Sequence, residues 1–597
     1  MSSSARQAQE EQILDAVSAD RLMESDRAIA QWVRLSGTDE EAKAFDWIQQ
    51  QLESYGLETH RYRHPGLVSW PESATLTVTP AGGAPQSFTC STHAFATSTG
   101  PHGISGELVV VGRGTSEDFA GKDVRGKIVL VDGIIAPNRN LAVEATGVAA
   151  SIWIAGTHLH ERALSPVWGT PTPETANLLP KTPSVSIPGT EGERLKGLME
   201  QGPVTVAMVT QVYRAWRQLP CLTGDLRPPR EGPESDTFVM FSGHVDSWYY
   251  GAMDNGTANA TQLEVARVLA QHPDAMRRGL RVAFWSGHSH ARYAGSTWYA
   301  DNFWQDLHDR CVAHVNVDSV GGNGATILSE GNSMAELREF TGDVIEQLAG
   351  QRLAPRRYGR SGDQSFWGHG FPSVLMSLSE QPAANADPLL LALHHQISGG
   401  QGAGGGLGWW WHTPEDTVDK IDPDFLQRDA RIYALLVYRL TGARVLPLDY
   451  AADLTELRAN VDAVQARAGD AVDLSAVDEW IGELGSSIDR LNRRVAELET
   501  VGALDDALVA RVNRCLMTVG RELIPVDYSR AGRYDHDLAV PTQPVPGLQP
   551  ATRLAALQPG TDDYEFLRTR VVRERNRLVH ALVTATRAVE ATLNGLG

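Results

Sequence analysis

The sequence predicts an α/β fold: a mostly parallel central sheet with helices on both faces, enlarged by a β-rich insertion and followed by a helical C-terminal region. Three observations carry that prediction. Apolar runs at Thr237–Phe241, Arg281–Trp285, Val312–Val317 and Ser373–Ser377 alternate with helical segments such as Ala258–Leu269, the pattern of a sheet buried on both faces. Short β-like runs (Glu107–Val111, Lys127–Val131, Val185–Ile187), broken by Gly and Pro turns, fill residues 69–218. From residue 448 onward the texture is helical, and Val477, Ile481, Leu484, Ile488, Leu491, Val495 and Leu498 step by four and three in a heptad seam.

At 597 residues the chain is too long for one hydrophobic core. Residues 1–68 read as helices: Gly37-Thr38-Asp39-Glu40-Glu41 is a capped start, and Ala42, Phe45, Ile48 and Leu52 follow at helical spacing. Residues 1–68 and 219–447 are expected to form the catalytic unit, 69–218 an inserted domain with its own small core, and 448–597 a bundle. In the last region a Pro-rich connection, Pro541 to Pro550, precedes a stripe of Leu567, Val571, Leu578, Leu582 and Val589. These stripes read as packing between helices of one bundle.

Composition narrows the function. Lys and Arg total 53 against 73 Asp and Glu, a formal charge of -20. Such a chain is poorly suited to a phosphate backbone, so no nucleic-acid partner is expected. The four cysteines (Cys90, Cys221, Cys311, Cys515) show no paired spacing, which argues against a disulfide scaffold or a cysteine zinc knuckle and suits a reducing compartment. The N-terminal residues have no basic flank followed by an apolar run, and no stretch of about 18 apolar residues occurs. The expectation is a cytoplasmic protein without a signal peptide or membrane contact.

Chemistry gathers in residues 219–447, where metal-capable side chains follow the strands. Phe241-Ser-Gly-His244-Val-Asp246 follows the first, Trp285-Ser-Gly-His288-Ser-His290 the second, and Val317-Asp318 ends the third. Ligands collect at the carboxyl ends of strands in such sheets, so these groups should share one crevice. Asp254 and His412 lie on loops that can join them, and an imidazole and carboxylate set serves a divalent ion.

These residues carry a resemblance. Gly243-His244-Val-Asp246-Ser247-Trp248 and Gly251-Ala252-Met-Asp254-Asn255-Gly256 are similar to the metal-binding signature of the zinc aminopeptidase and glutamate carboxypeptidase family, of which the transferrin receptor is a non-catalytic relative. Asn316-Val-Asp318, Gly362-Asp363-Gln-Ser-Phe366 with Gly370-Phe-Pro372, and His412-Thr-Pro-Glu-Asp416-Thr-Val-Asp419-Lys420 match in the same order. Each alone is weak; the ordered set is specific. Asp118-Phe-Ala-Gly-Lys122-Asp-Val-Arg-Gly-Lys127 and Pro183-Ser-Val-Ser-Ile187-Pro make residues 69–218 resemble the family's protease-associated (apical) domain. Residues 448–597 resemble the helical dimerisation domain of its transferrin-receptor branch, which implies a homodimer. The resemblance also implies two metal positions bridged by Asp254: one with His244 and Asp318, the other with His412 and a residue of the Trp285–Gly295 segment. Asp246 would orient the His244 ring.

One departure matters. The family has two adjacent glutamates after the second strand, a general base and then a metal ligand; this chain reads Gly287-His288-Ser289-His290. Counting forward from Phe284-Trp285 puts His288 at the base and Ser289 at the ligand position. Counting back from Gly295-Ser296 puts Ser289 at the base and His290 at the ligand. The choice of His288, Ser289 or His290 stays open in the sequence. We take His290 as the ligand, because the following helix should hold its register, and His288 as the base or an additional ligand. An imidazole, with a pKa of about 6.5 when unperturbed, can take a proton near neutrality. Replacing glutamate by histidine removes a negative charge, so a second ion is harder to hold. A His290, His412 and Asp254 set also suits iron or manganese, although zinc, as one or two ions, is the expected metal.

Trp248, Tyr249, Trp285 and Trp411 are the candidate substrate-pocket residues, with Tyr250, Trp409 and Trp410 beside them. Gly399–Gly408 before the tryptophans reads as a mobile lid over a small or aromatic substrate. His394-His395 reads as an exposed loop pair, Cys311 as a buried apolar residue, and Asp416 and Asp419 as turn and cap residues. The reading is a metallohydrolase acting on an amide or peptide-like bond of a small or short peptide-like substrate. The alternatives are a repurposed His/His/Asp site with non-peptide chemistry, or a non-catalytic binding protein.

Overall fold

The computed structural model describes residues 3–386, 391 and 404–596. Four strands, Ser373–Met376, Cys311–Val317, Phe238–His244 and Gly279–Trp285, lie side by side in that order and parallel. Every residue of Phe238–His244 and Cys311–Val317 is buried, as a sheet covered on both faces requires. Antiparallel strands border them: Asn332–Ser333 on one side, and on the other Val204–Leu226, which pairs in turn with Glu58–Pro80. Helices Ala258–Ala270 and Pro423–Gly442 contribute Leu263, Val268, Ile432 and Leu436 to the main core.

The N-terminal region departs from expectation. Its helices, Ser3–Ala16, Ala19–Ile29 and Asp39–Ser54, end before residue 58, and Glu58–Pro80 is one long strand that crosses the expected boundary at 68. Its partner Val204–Leu226 crosses residue 218 in the same way. The two form a ribbon that runs from the central sheet into the inserted region. Pro65 and Pro71 masked it in the sequence; they are tolerated because Glu58–Pro80 has a strand on only one side there, and the register shifts between Pro71 and Ser73.

Within the inserted region Ile104–Val110, Ile128–Asp132, Ala150–Ile154 and Ser184–Ile187 are parallel neighbours. Alternate side chains feed two apolar clusters, one with Leu130, Ile152 and Val185, the other with Val129, Val131 and Trp153. Both are separate from the main core.

The heptad stripe lies on helix Ser475–Thr500, and Val477, Ile481, Leu484, Ile488 and Leu491 are buried with Val571, Leu578, Leu582 and Val589 of helix Asp562–Gly595. Most of the seam is therefore packed inside the chain. These helices share one apolar cluster with the catalytic helices.

Glu336, Asp453 and Asp527 are buried where helix Ala335–Ala349 meets helices Tyr450–Ala468 and Asp506–Tyr528. Glu456, Arg338 and Arg357 complete the group, with Arg357 on Asp527 at 2.9 Å and on Glu456 at 3.0 Å. Both Glu336 carboxylate oxygens lack a hydrogen-bond partner. Burial, reinforced by Asp527 and Glu456, pushes the Glu336 carboxyl up to about 7. A carboxyl raised in the folded state holds its proton where the unfolded chain has lost it, so this residue costs increasing stability as pH rises from about 4.3 to 7. Glu336→Gln is expected to raise the Tm at pH 8 by roughly 2–4 °C, the shift that about 1 kcal/mol gives in a domain of a few hundred residues. At pH 4 the two proteins should melt together; calorimetry at the two pH values checks this.

Candidate metal centre

Strand register makes the site. Ser242 lies opposite Asn316 on one side and Ala283 on the other, so His244 ends its strand level with Asp318 and Trp285. Gly243 is needed for that fit, since a Cβ there would lie 2.7 Å from Gln262 Oε1 and 2.9 Å from the Val317 carbonyl. His244 Nδ1 donates to the backbone carbonyl of Asp246 at 2.8 Å, which turns Nε2 inward with its lone pair free. That atom is 3.2 Å from Asp254 Oδ1 and 3.7 Å from Asp318 Oδ2. The other Asp254 oxygen is 2.9 Å from His412 Nε2. His412 is fixed in the same way, Nδ1 donating to the Glu161 carbonyl at 2.7 Å.

His288 stacks on His244, with ring centroids 3.7 Å apart and planes at 15°. Its Nδ1 lies 2.9 Å from Asp363 Oδ2. Among the described residues, His244, His288 and Asp318 form the one group of three that brings ligand atoms within 4.8 Å of one another. His290, expected as a ligand, lies outside that group. It is fully buried, with Nδ1 3.0 Å from Ser36 Oγ and 3.3 Å from Asp246 Oδ2, and its ring packs 4.3 Å from Trp248.

Asp246 explains the difference. Its carboxylate accepts hydrogen bonds from the backbone N–H groups of His288 at 3.0 Å and Ser289 at 2.9 Å. This winds the turn so that its first histidine faces His244 and its second faces back towards Ser36. Asp246 thus holds His244 through its backbone carbonyl and the histidine turn through its side chain. Burial favours the neutral acid, but the His290 hydrogen bond and the neighbouring histidines outweigh it and keep the carboxyl below its ordinary range.

Further residues secure Asp254. Asp416 accepts from the backbone N–H of Met253 at 2.9 Å and of Asp254 at 3.0 Å. Arg34, fully buried, donates to the carbonyls of Val245, Tyr250 and Gly251. Gly251 takes a positive φ of 48°, where a Cβ would meet the Asp254 carbonyl oxygen at 2.2 Å. Tyr249, Arg292, Tyr293, Ser319 and His412 also have positive φ. For non-glycine residues that is strain, and here it gathers on the loops around one crevice.

Burial would neutralise both His244 and Asp254. The neighbouring His244 and His412 instead hold Asp254 well below the usual carboxyl range, while Asp254 and Asp318 raise His244. His412 is lowered, chiefly by burial. The site favours positive charge beside Asp254 and Asp318. His244 Nε2 and Asp254 Oδ1 are both buried without a hydrogen-bond partner. Imidazole nitrogens and carboxylate oxygens so placed fit a divalent cation.

The aromatic expectations divide. Trp411 stacks on His412 at 3.7 Å, Trp248 stands 6.0 Å from His412, and the Tyr249 hydroxyl donates to Glu161 Oε1 at 2.7 Å. Trp285 does not line the crevice. It has no exposed surface and packs on Tyr299 and Phe366, because strand alternation turns it into the core. Trp410 is buried, whereas Tyr250 and Trp409 are exposed. His394, His395 and residues 399–403 of the glycine-rich stretch lie outside the described residues.

With the geometry in place, the chain can be set beside known proteins. Residues 225–437 match the model of peptidase family M28. The chain is 22% identical over 569 residues to a probable glutamate carboxypeptidase, VP8, of Zea mays, covering 82% of this chain and 76% of the relative. It is 22% identical to aminopeptidase YwaD of Bacillus subtilis, over 68% of this chain and 80% of the other. The fold is that of BSAP, a zinc aminopeptidase from Bacillus subtilis, with a TM-score of 0.53, 21% identity, and coverage of 72% of this chain and 98% of that one. A peptidase M28 precursor from Shewanella amazonensis aligns with a TM-score of 0.56 at 18% identity, over 74% of this chain and 98% of that one.

Asp246→Ala removes the acceptor for two backbone donors of the histidine turn. Zinc affinity is expected to fall about 10–100-fold, the usual cost of losing a ligand's supporting partner, as read by chelator competition with the circular dichroism spectrum retained.

Proposed function

We propose that the chain is a metal-dependent hydrolase that cleaves an amide or peptide-like bond of a small or short peptide-like substrate. The observation that carries this reading is Asp254, whose two oxygens meet His244 and His412 separately while Asp318 and His288 close the group. The names of the relatives, glutamate carboxypeptidase, aminopeptidase and zinc aminopeptidase, support it. His244 and Asp318 would hold one ion, His412 would serve a second, and Asp254 would lie between them; zinc is the proposed metal. A bound divalent ion supplies water of lowered pKa and polarises a carbonyl oxygen.

The chain's own residues do the rest. With glutamate absent from the Gly287–His290 turn, His288 is the proton acceptor in this proposal. Its Nδ1–H donates to Asp363, so Nε2 is the basic nitrogen and faces the cluster. Asp363 is held in turn by Ser296, whose hydroxyl donates to Oδ1 at 2.7 Å. A ring fixed at both its stacked face and its Nδ1 is oriented before substrate arrives, the arrangement general-base catalysis needs. Trp248 and Trp411 supply apolar walls beside His412. A homodimer through the helical region remains part of the proposal and rests on the family resemblance; Phe566, 70% exposed, marks a surface to test by light scattering.

Chelator treatment should abolish hydrolysis of aminoacyl and N-acyl amides, and zinc should restore it. His412→Ala should lose both metal and activity. His288→Ala should keep its metal and lose about 10²–10⁴-fold in kcat. Unchanged turnover would remove His288 from the mechanism, and lost metal would make it a ligand. Asp363→Asn should lower kcat by a smaller factor and leave KM unchanged.

A further inference from the structure

We propose that Tyr249 is a positioning residue for the second metal position: through Glu161 of the inserted region it sets the place of His412. The inference rests on the reading of His412 as a metal ligand made above. Tyr249 lies on the loop that leads to Asp254, and its hydroxyl donates to Glu161 Oε1 at 2.7 Å. Glu161 and His412 then bridge each other twice. The Glu161 N–H donates to the His412 carbonyl at 3.0 Å, and the His412 ring donates back to the Glu161 carbonyl at 2.7 Å. The path closes where His412 Nε2 meets Asp254 Oδ2 at 2.9 Å. Tyr249, Glu161 and His412 thus form a strut that leaves the Asp254 loop and returns to the Asp254 side chain.

The joints of the strut are held from both sides. His160 Nδ1 donates to the Trp411 carbonyl, one residue before His412. Behind Glu161, the Ala94 N–H donates to the Arg162 carbonyl and the Leu164 N–H to the Ala94 carbonyl, each at 3.0 Å, which ties the segment to the body of the inserted region. Tyr249 is half-buried in an apolar cluster with Ala94, Phe95 and Ala163, so its ring is packed as well as bonded. The Glu161 carboxyl is where the strut can fail. Its Oε1 has the Tyr249 hydroxyl, and its Oε2 is buried without a hydrogen-bond partner. Removing the hydroxyl leaves both oxygens unsatisfied, and a buried polar group in that state is driven towards water, taking its backbone with it. His412 is sensitive to such a shift because its backbone holds a φ of 60°, which a non-glycine residue keeps only when its surroundings fix it. Placement matters most at this ion, since the Gly287–His290 turn brings no carboxylate to hold it.

The test titrates zinc into metal-free protein against a competing chelator and follows the two binding steps separately, with deuterium exchange of the metal-free protein as a second readout. Wild type should take two ions. Tyr249→Phe and Glu161→Ala should each weaken the second step about 10–100-fold and leave the first unchanged. The double variant should lose no more than either single one, because both cut the same strut. Glu161→Gln, which keeps an acceptor for the Tyr249 hydroxyl, should bind both ions as wild type does. Without metal, amides around Glu161 and His412 should exchange faster in Tyr249→Phe while the rest of the chain is unchanged, which also reports that the variant is folded. Wild-type affinity for the second ion in Tyr249→Phe, an equal loss at both steps, or a loss in Glu161→Gln as large as in Glu161→Ala overturns the strut. So does a wild type that takes fewer than two ions. If the strut fails these tests in a protein that hydrolyses amides, the hydrolase reading stands; if it behaves as expected in a protein that cleaves no amide, only that reading falls.

Discussion

A single carboxylate held between two imidazoles governs the crevice. Asp254 has to stay ionised in a buried place, and burying an isolated charge costs several kcal/mol unless partners compensate. His244 and His412 supply one compensation, the backbone held by Asp416 and Arg34 the other. Arg34 lies between the second and third helices, which explains why N-terminal residues remote in sequence belong to the catalytic unit. The loops that meet around Asp254 carry most of the non-glycine positive φ angles among the described residues. That strain is sustained by the packed sheet beneath them.

Having Gly287-His288-Ser289-His290 where the resembled family has an acidic pair alters the electrostatics of the crevice. The turn is held by Asp246, which binds its backbone N–H groups, an interaction indifferent to the side chains they carry. What changes is charge: histidine brings a neutral nitrogen where a carboxylate would bring an anion, which weakens the hold on a second cation. The Asp363 contact compensates in part, since a carboxylate on Nδ1 makes the far nitrogen a better base or ligand.

The inserted region is part of the site as well as an appendage to it. Glu161 fixes the tautomer of His412 through its carbonyl, and its carboxylate accepts from the Tyr249 hydroxyl. The ribbon formed by Glu58–Pro80 and Val204–Leu226 gives that contact a rigid base, because it is continuous with the central sheet. The residues around the crevice thus come from two regions of the chain whose apolar clusters are separate.

Much was legible in the sequence, and for local reasons. Fully apolar runs followed by His244, Trp285 and Asp318 define parallel strands and their carboxyl ends, because periodicity and strand-end chemistry are properties of short segments. The heptad at Val477–Leu498 likewise marked a helix, although only its partner Asp562–Gly595 could show that the stripe was satisfied within the chain. The long ribbon stayed hidden because its prolines mimic turns. Whether His288 or His290 stacks on His244 was beyond the sequence, since neighbouring residues of a turn differ by a rotation that the Asp246 carboxylate, 42 residues before His288, helps to fix. Glu161 and Arg34 carried no local signal either, and Asp363 stood in a matched motif that did not show its contact with His288. Their roles come from where folding delivers a carbonyl, a carboxylate or a guanidinium: the sequence by itself determines which chemical groups are available, and the tertiary structure alone decides which of them meet.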